Sequence, residues 1–281
     1  MKRILILTTI VAIAVTAFAT APSQRGQLVV IGGGRITNDI LERMGRYTGG
    51  VEGSRVLIVP YSMPVHDTAY HARNVKRFKD YGYKHVDLIN CLPEDLDLPE
   101  NLAKLDGVNV IFFGGGLQDR LANALHGTKF LERIRELHEA GATVAGTSAG
   151  AAVMSKVMIV GGQRQVPEGF THANYALIVE DNVNLGEGFG FMPDVLIHQH
   201  FVVRRRLTTL FSALLDHPYL LGVGIDEHTA IDVSPDGSFE VVGDSSVMIL
   251  DPIYKPGESP RFDVLILWNG EKHDGKKAEN R

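Results

Sequence analysis

Cysteine is almost absent: Cys91 is the only one in the chain, and tryptophan also occurs once. A single thiol forms no internal disulfide. The fold must therefore be held by a buried core, which a chain of this length can build. Cys91 stands between Asn90 and Leu92-Pro93 with no basic neighbour to activate it, and reads as inert. Basic residues are the minority charge, 28 Lys+Arg against 33 Asp+Glu, for a formal net charge of −5. The only dense basic run is Arg204-Arg205-Arg206. That is not the wide basic face of a nucleic-acid binder. No Pro/Ser-rich linker, charge block or internal repeat divides the sequence, which favours a single domain over two. After residue 21 no apolar run is long enough to span a bilayer.

What is present begins with a targeting pattern. Lys2 and Arg3 precede an uncharged apolar run, "ILILTTIVAIAVTAFA" (4–19), followed by the small-x-small sites "AFA" and "ATA". This is the layout of a secretory leader with cleavage after Ala19 or Ala21. The expected organisation is a leader over 1–21 and one α/β domain over 22–281. The expected location is the periplasm or the medium, with no stable membrane span after cleavage.

Beyond the leader, apolar strand-like runs alternate with helical patterns. Strands are expected at 27–33, 55–62, 85–90, 109–116 and 142–146. Helices are expected at 37–47, 66–82, 117–126 and 128–140. Several runs are apolar throughout, as strands buried on both faces of a parallel sheet are. The alternation predicts a mostly parallel, doubly wound α/β fold with helices on both faces. Past residue 150 the pattern changes to short strands and turns, at 222–234, 238–243, 246–251 and 262–268. These are expected as antiparallel strands at the sheet's edge, followed by a polar tail over 269–281.

The stretch "AGTSAGAAVMS" (145–155) sets one hydroxyl, Ser148, among small side chains. It falls where strand 142–146 turns into a helical run, the position at which α/β folds expose reactive groups. Small neighbours permit a sharp, strained turn that presents the hydroxyl and lets a substrate carbonyl approach the backbone. The N–H of Ala149 is one candidate oxyanion donor; the glycines 114–116, and Gly115 within them, offer a second. A serine nucleophile needs a base and the base needs an acid. "DVLIHQHF" (194–201) offers His198 and His200, which share a face in an extended strand. "VGIDEHT" (223–229) offers Asp226 and Glu227.

Two other classes compete. His198 and His200, with His228 and His172, are candidate zinc ligands, although that leaves Ser148 unexplained. The turn "VVIGGGRIT" (29–37) has the look of a nucleotide-binding glycine loop, with Thr37 where a third glycine should stand.

Four segments together resemble the cyanophycinase branch of peptidase family S51: "FFGGGLQDRL" (112–121), "GTSAGAAVMS" (146–155), "LGEGFGFMPDVLIHQHFVVRRRL" (185–207) and "GVGIDEHTA" (222–230). The resemblance covers roughly residues 27–250. It implies a fold related to class I glutamine amidotransferases and hydrolysis of β-aspartyl linkages, as in the β-Asp-Arg units of cyanophycin. It implies an acyl-enzyme route with no metal or cofactor, a peptide or polymer substrate, and a homodimer. Carried over by position, Ser148 becomes the nucleophile, His200 the base and Glu227 the orienting acid. Gln118, Gln199, Arg204 and Arg206 become substrate-binding residues, and arginine suits carboxylates because its fork donates two parallel bonds. His198 stands where the family pattern has aspartate and is expected to line the substrate pocket in its place. Leu117 and Thr208-Thr209 are further departures. By the resemblance, these three departures bear on recognition of the polymer and leave Ser148, His200 and Glu227 in place.

Overall fold

The structure, a computed structural model, describes residues 25–169, 177–255 and 257–278. The leader expected at 1–21 and His172 lie outside them. The first half of the chain builds the parallel part of the main sheet: β1 (Leu28–Ile31), β2 (Arg55–Val59), β3 (His85–Leu88), β4 (Val110–Phe113) and β5 (Thr143–Thr147). These strands hydrogen-bond in the order β1-β5-β4-β2-β3, every pair parallel. Every residue of β1, β4 and β5 is buried, as their unbroken apolar runs predict.

The helices between them are α1 (Asn38–Arg46), α2 (Gly50–Gly53), α3 (Thr68–Tyr81), α4 (Pro99–Leu102), α5 (Gln118–Leu125) and α6 (Lys129–Glu139). Their starts follow from side-chain capping, which satisfies N–H groups that the helix itself leaves open. Thr37 caps α1, Asp67 caps α3 and Thr128 caps α6, each accepting a bond from the backbone three residues on. Gly82, at φ 121°, ends α3 where a side chain would be strained.

After Ser148 the helical run is short: α7 is only Ala149–Ala152. The chain then forms a separate antiparallel pair, β6 (Val157–Gln163) and β7 (Val183–Glu187). Next come β8 (Val195–Gln199), α8 (Leu207–Asp216), β9 (Leu221–Ile225), β10 (Thr229–Val233), β11 (Phe239–Gly243), β12 (Val247–Ile253), β13 (Arg261–Leu267) and β14 (Lys272–His273).

The sequence expectation for this region is right in part. Strands β10, β11 and β14 extend the main sheet antiparallel beyond β1. Strands β8, β9, β12 and β13 instead form a second, four-stranded sheet, in which β8 and β9 are parallel. The stretch 222–234, expected among the short edge strands with turns, is two strands in different sheets with Asp226–His228 at the crossing. Every residue of both halves is buried, Thr229 and Asp232 included, so hydrophobic periodicity does not show that they join different sheets. One core cluster includes residues of both sheets, among them Val30, Val144 and Ile231 from the first and Ile197, Val223 and Ile249 from the second. Among the described residues, no helix is long and apolar enough to cross a membrane.

Candidate active site

Three segments converge on the carboxyl end of β1. The N–H of Ser148 donates to the Ile31 carbonyl at 3.0 Å, that of His200 to Gly32 at 2.7 Å and that of His228 to Gly33 at 2.9 Å. All three donors sit at positive φ, 54°, 50° and 61° respectively. Few non-glycine residues adopt that region, and strain of this kind concentrates at functional sites.

Ser148 has φ 54° and ψ −109°, between the end of β5 and the first turn of α7. Its small neighbours are a steric requirement. A Cβ on Gly146 would lie 2.2 Å from the Gly150 carbonyl oxygen, and one on Gly150 would lie 2.2 Å from that of Phe113. The turn brings the Ser148 Oγ to 2.7 Å from His200 Nε2, and His200 Nδ1 lies 2.6 Å from Glu227 Oε1. The network assigns the proton to Nδ1, donating to Glu227, so Nε2 accepts from the serine. His200 is 6% exposed. Burial lowers its pKa below the ordinary histidine value; the bond to Glu227 opposes the shift and the charges of Arg204 and Arg206 add to it. The ring is therefore kept neutral, the state a base requires.

The glycine turn after β1 serves this ring. A Cβ on Gly33, which has φ 119°, would lie 2.2 Å from His200 Cε1, and one on Gly34 would lie 2.5 Å from His228 Cδ2. The space that a nucleotide phosphate would need is filled by two histidines of the chain itself. The His-x-His zinc arrangement also fails to form. Both ring nitrogens of His200 are engaged by Ser148 and Glu227, while His198 bonds to Thr209 at 2.8 Å and Gln199 at 3.3 Å. The positive φ at His200 breaks the strand alternation that would have set the two rings on one face.

The expected pocket role of His198 is corrected accordingly. It is 4% exposed, packed edge-on against Phe201, and has no open face to a substrate. Burial pushes its pKa down to about 3, with the positive charge of Arg206 adding to the shift. Gln199 is equally buried; its side-chain oxygen accepts from Arg206 Nη1 at 2.6 Å and its backbone carbonyl from the same atom at 3.1 Å. Gln199 thus holds Arg206. Arg206 meets no carboxylate among the described residues, and burial, with Arg204 nearby, lowers its pKa to about 10. Arg204 is half exposed, its Nε 4.0 Å from Glu227 Oε1. Asp226, the other acid offered by the sequence, faces away from His200. Its Oδ1 accepts the N–H groups of Val202 and Val203 at 3.1 Å each, and its Oδ2 accepts the Ser245 hydroxyl at 3.0 Å. It anchors the turn that carries the arginines.

On the other side of Ser148, a Cβ on Gly115 would be 3.3 Å from the serine Cβ. The Ser62 hydroxyl donates to the carbonyls of Gly114 at 3.0 Å and Gly115 at 2.7 Å, and the Tyr70 hydroxyl to Gly115 at 2.7 Å. These bonds fix the peptide planes of the glycine loop. Among the described residues the N–H of Gly115 has no backbone partner, and α7 has no acceptor for the N–H of its first residue, Ala149. Gln118 opens α5, and its amide nitrogen donates to the Ile159 carbonyl at 2.6 Å. Nothing in the sequence singled out Ser62 or Tyr70; each is an ordinary residue type in a loop or a first helical turn.

The sequence profile of peptidase family S51 matches residues 28–241. The chain is 36% identical over 261 residues to a cyanophycinase of Geminocystis herdmanii, covering 89% of this chain and 90% of that protein. It is 41% identical over 178 residues to a cyanophycinase of Synechococcus elongatus, covering 62% of this chain and 52% of that one. The match thus spans about half the length of the latter relative. Among solved structures, a peptidase from an acI-B1 Actinobacterium superposes with a TM-score of 0.62 at 23% identity, over 90% of this chain and 98% of the other. That likeness concerns the fold: a mixed α/β protein with a large, mostly parallel sheet.

Proposed function

Because the chain belongs to peptidase family S51, we propose that it is a serine-type peptidase that hydrolyses β-aspartyl linkages such as the β-Asp-Arg units of cyanophycin. The observation that carries the proposal is the unbroken chain from the Ser148 Oγ through His200 to Glu227, at 2.7 and 2.6 Å. Serine hydrolysis of an acyl bond needs this order of nucleophile, base and orienting acid. The two cyanophycinase relatives support the substrate class.

In this mechanism the Ser148 Oγ attacks the side-chain carbonyl of the aspartyl unit while His200 Nε2 takes its proton. Glu227 stabilises the imidazolium that forms. The N–H groups of Gly115 and Ala149 receive the oxyanion. Because α7 has only four residues, the donation of Ala149 itself matters more than any helix dipole. His200 then gives its proton to the leaving amine, and water, activated by the same ring, releases the acyl group. Arg206 and Arg204 hold a substrate carboxylate beside His200.

A substrate panel tests the proposal: cyanophycin, β-Asp-Arg, β-Asp-Lys and an α-Asp dipeptide, with Ser148→Ala as control. Cleavage of the α-linked dipeptide alone, or full activity in folded Ser148→Ala, would overturn it. The leader pattern supports export, with a mature chain beginning near Thr20 or Pro22. N-terminal sequencing of native protein decides that point, and an intact Met1 in the cytosol contradicts it.

A further inference from the structure

The first turns of α3 border the candidate site on the side away from His200. Sheet order makes this clear. Ser148 follows β5; β1 and β10, which flank His200 and Glu227, lie to one side, while β4 and β2, which lead to Gly115 and α3, lie to the other. Asp67 caps α3 by accepting the Tyr70 N–H at 3.0 Å, and Tyr70 in turn reaches Gly115. The Arg73 guanidinium carbon lies 5.8 Å from the centre of the Tyr70 ring. Arg77, one helical turn further, is half-buried and donates to Asn74 Oδ1 at 3.1 Å. Contact thus runs from Ser148 through Gly115 and Tyr70 to an arginine pair.

Among the described residues this pair lacks the carboxylate partner that several other helical cations have, a lack shared by the half-buried Arg206 and by Arg135 of α6, whose guanidinium lies over the Phe191 ring. Lys76, on a neighbouring face of α3, pairs with Asp80; Arg43 and Arg46 on α1 also meet carboxylates. Among the described residues, neither Arg73 nor Arg77 has a carboxylate within ion-pair distance. Like charges four residues apart on a helix repel, and burying a guanidinium without an anion is costly. Burial indeed lowers the Arg77 pKa, with the charge of Arg73 working in the same direction. A bound carboxylate would relieve both costs, and the planar fork of arginine suits it.

We propose that Arg73 and Arg77 form a second carboxylate subsite on the glycine-loop side of Ser148, taking an acid group of a multiply acidic peptide while Arg204 and Arg206 hold another across the scissile bond. This rests on the reading of the chain as a β-aspartyl peptidase. It adds that the substrate extends to both sides of the cleaved bond. A chain of β-Asp-Arg units suits such a cleft, because each unit carries a free arginine carboxylate.

The test is equilibrium binding of a three-unit (β-Asp-Arg)3 oligomer to the full-length Ser148→Ala protein, which needs no turnover. Arg73→Gln/Arg77→Gln in that background should weaken binding about tenfold, the scale of one charge-assisted hydrogen bond, and reduce its salt dependence. Lys76→Gln/Lys79→Gln removes the same charge from the adjacent face and should leave binding within twofold. Thermal melting confirms that each protein is folded. Equal affinity in the arginine variant, equal losses in both variants, or no binding of the oligomer to Ser148→Ala would each overturn the subsite. Failure of the peptidase proposal is read separately, from turnover of the substrate panel by the unmodified protein.

Discussion

Replacing Gly33 by alanine should disable the protein without substituting any reacting group. The new Cβ would lie 2.2 Å from Cε1 of the His200 ring, 2.7 Å from Nδ1 and 2.7 Å from Nε2. Ordinary contact begins well beyond these distances, so the ring must retreat by about 1 Å, a misplacement on the scale that costs about 10²-fold in rate. The displaced atoms are those that bond Ser148 and Glu227, at 2.7 and 2.6 Å. Loss of a positioned base costs about 10²–10⁴-fold. We therefore expect kcat/KM on β-Asp-Arg to fall at least about 100-fold. The φ of 119° adds strain of about 1–3 kcal/mol, which would show as a lower melting temperature. Gly127→Ala separates strain from collision: its φ is 76°, and nothing lies within 4 Å of its would-be Cβ. That control should lose stability and keep its activity. Arginine release from the dipeptide, followed with a melting curve for each variant, is the assay. A folded Gly33→Ala protein with unchanged kcat/KM would show that the ring does not need the space glycine leaves.

The depressed pKa of His200 has a definite sign: the base stays neutral into more acidic solution, so the acid limb of kcat/KM should fall below about pH 6.5; a limb above that value would contradict the burial argument. Tyr70→Phe removes one of the two hydroxyls on the Gly115 carbonyl and should lower kcat about tenfold with little change in KM; an unchanged kcat would mean that Ser62 alone holds the loop. His198 is held neutral with a pKa of about 3, so between about pH 6.5 and that value the unfolded chain binds the extra proton and stability falls as pH falls. His198→Gln removes this titration and should flatten the urea-denaturation stability profile across that window, and an unaltered slope would speak against it.

How much of this was legible depends on the kind of pattern. The five parallel strands and the helices α1, α3, α5 and α6 follow from local periodicity and capping residues such as Thr37 and Thr128, and lie within a few residues of the expected ranges. The split of 222–234 between two sheets is not legible, because both halves are buried throughout and the sheet each one joins, either side of the bend at His228 with φ 61°, depends on what lies alongside. Ser148, His200 and Glu227 come together as the resemblance implied. Their neighbours are another matter. His198 sits on an apolar strand beside His200, and strand alternation placed both on one face until the bend at His200 turned them apart. The Gly32-Gly33-Gly34 turn has a nucleotide-loop look in sequence, yet its openness admits two histidine rings. Tyr70 and Ser62 act only through where their hydroxyls end up, which no spacing encodes.

Ser148 offers a test of the strain itself. Its φ of 54° and ψ of −109° mirror an ordinary extended conformation, a region glycine enters freely and any residue with a Cβ enters at a cost. Ser148→Ala and Ser148→Gly both remove the hydroxyl and its bond to His200, so the comparison between them isolates the Cβ. At an ordinary position glycine would be the less stable of the two by about 0.4–1 kcal/mol, because it loosens the unfolded chain. Here relief of about 1–3 kcal/mol of backbone strain should outweigh that penalty. The order should invert, with Ser148→Gly melting above Ser148→Ala by a few degrees, at about 2–4 °C per kcal/mol for a protein of this size. Both variants should be equally inactive. If Ser148→Gly melted below Ser148→Ala, the turn would not be storing strain, and the small residues around it would serve close packing alone.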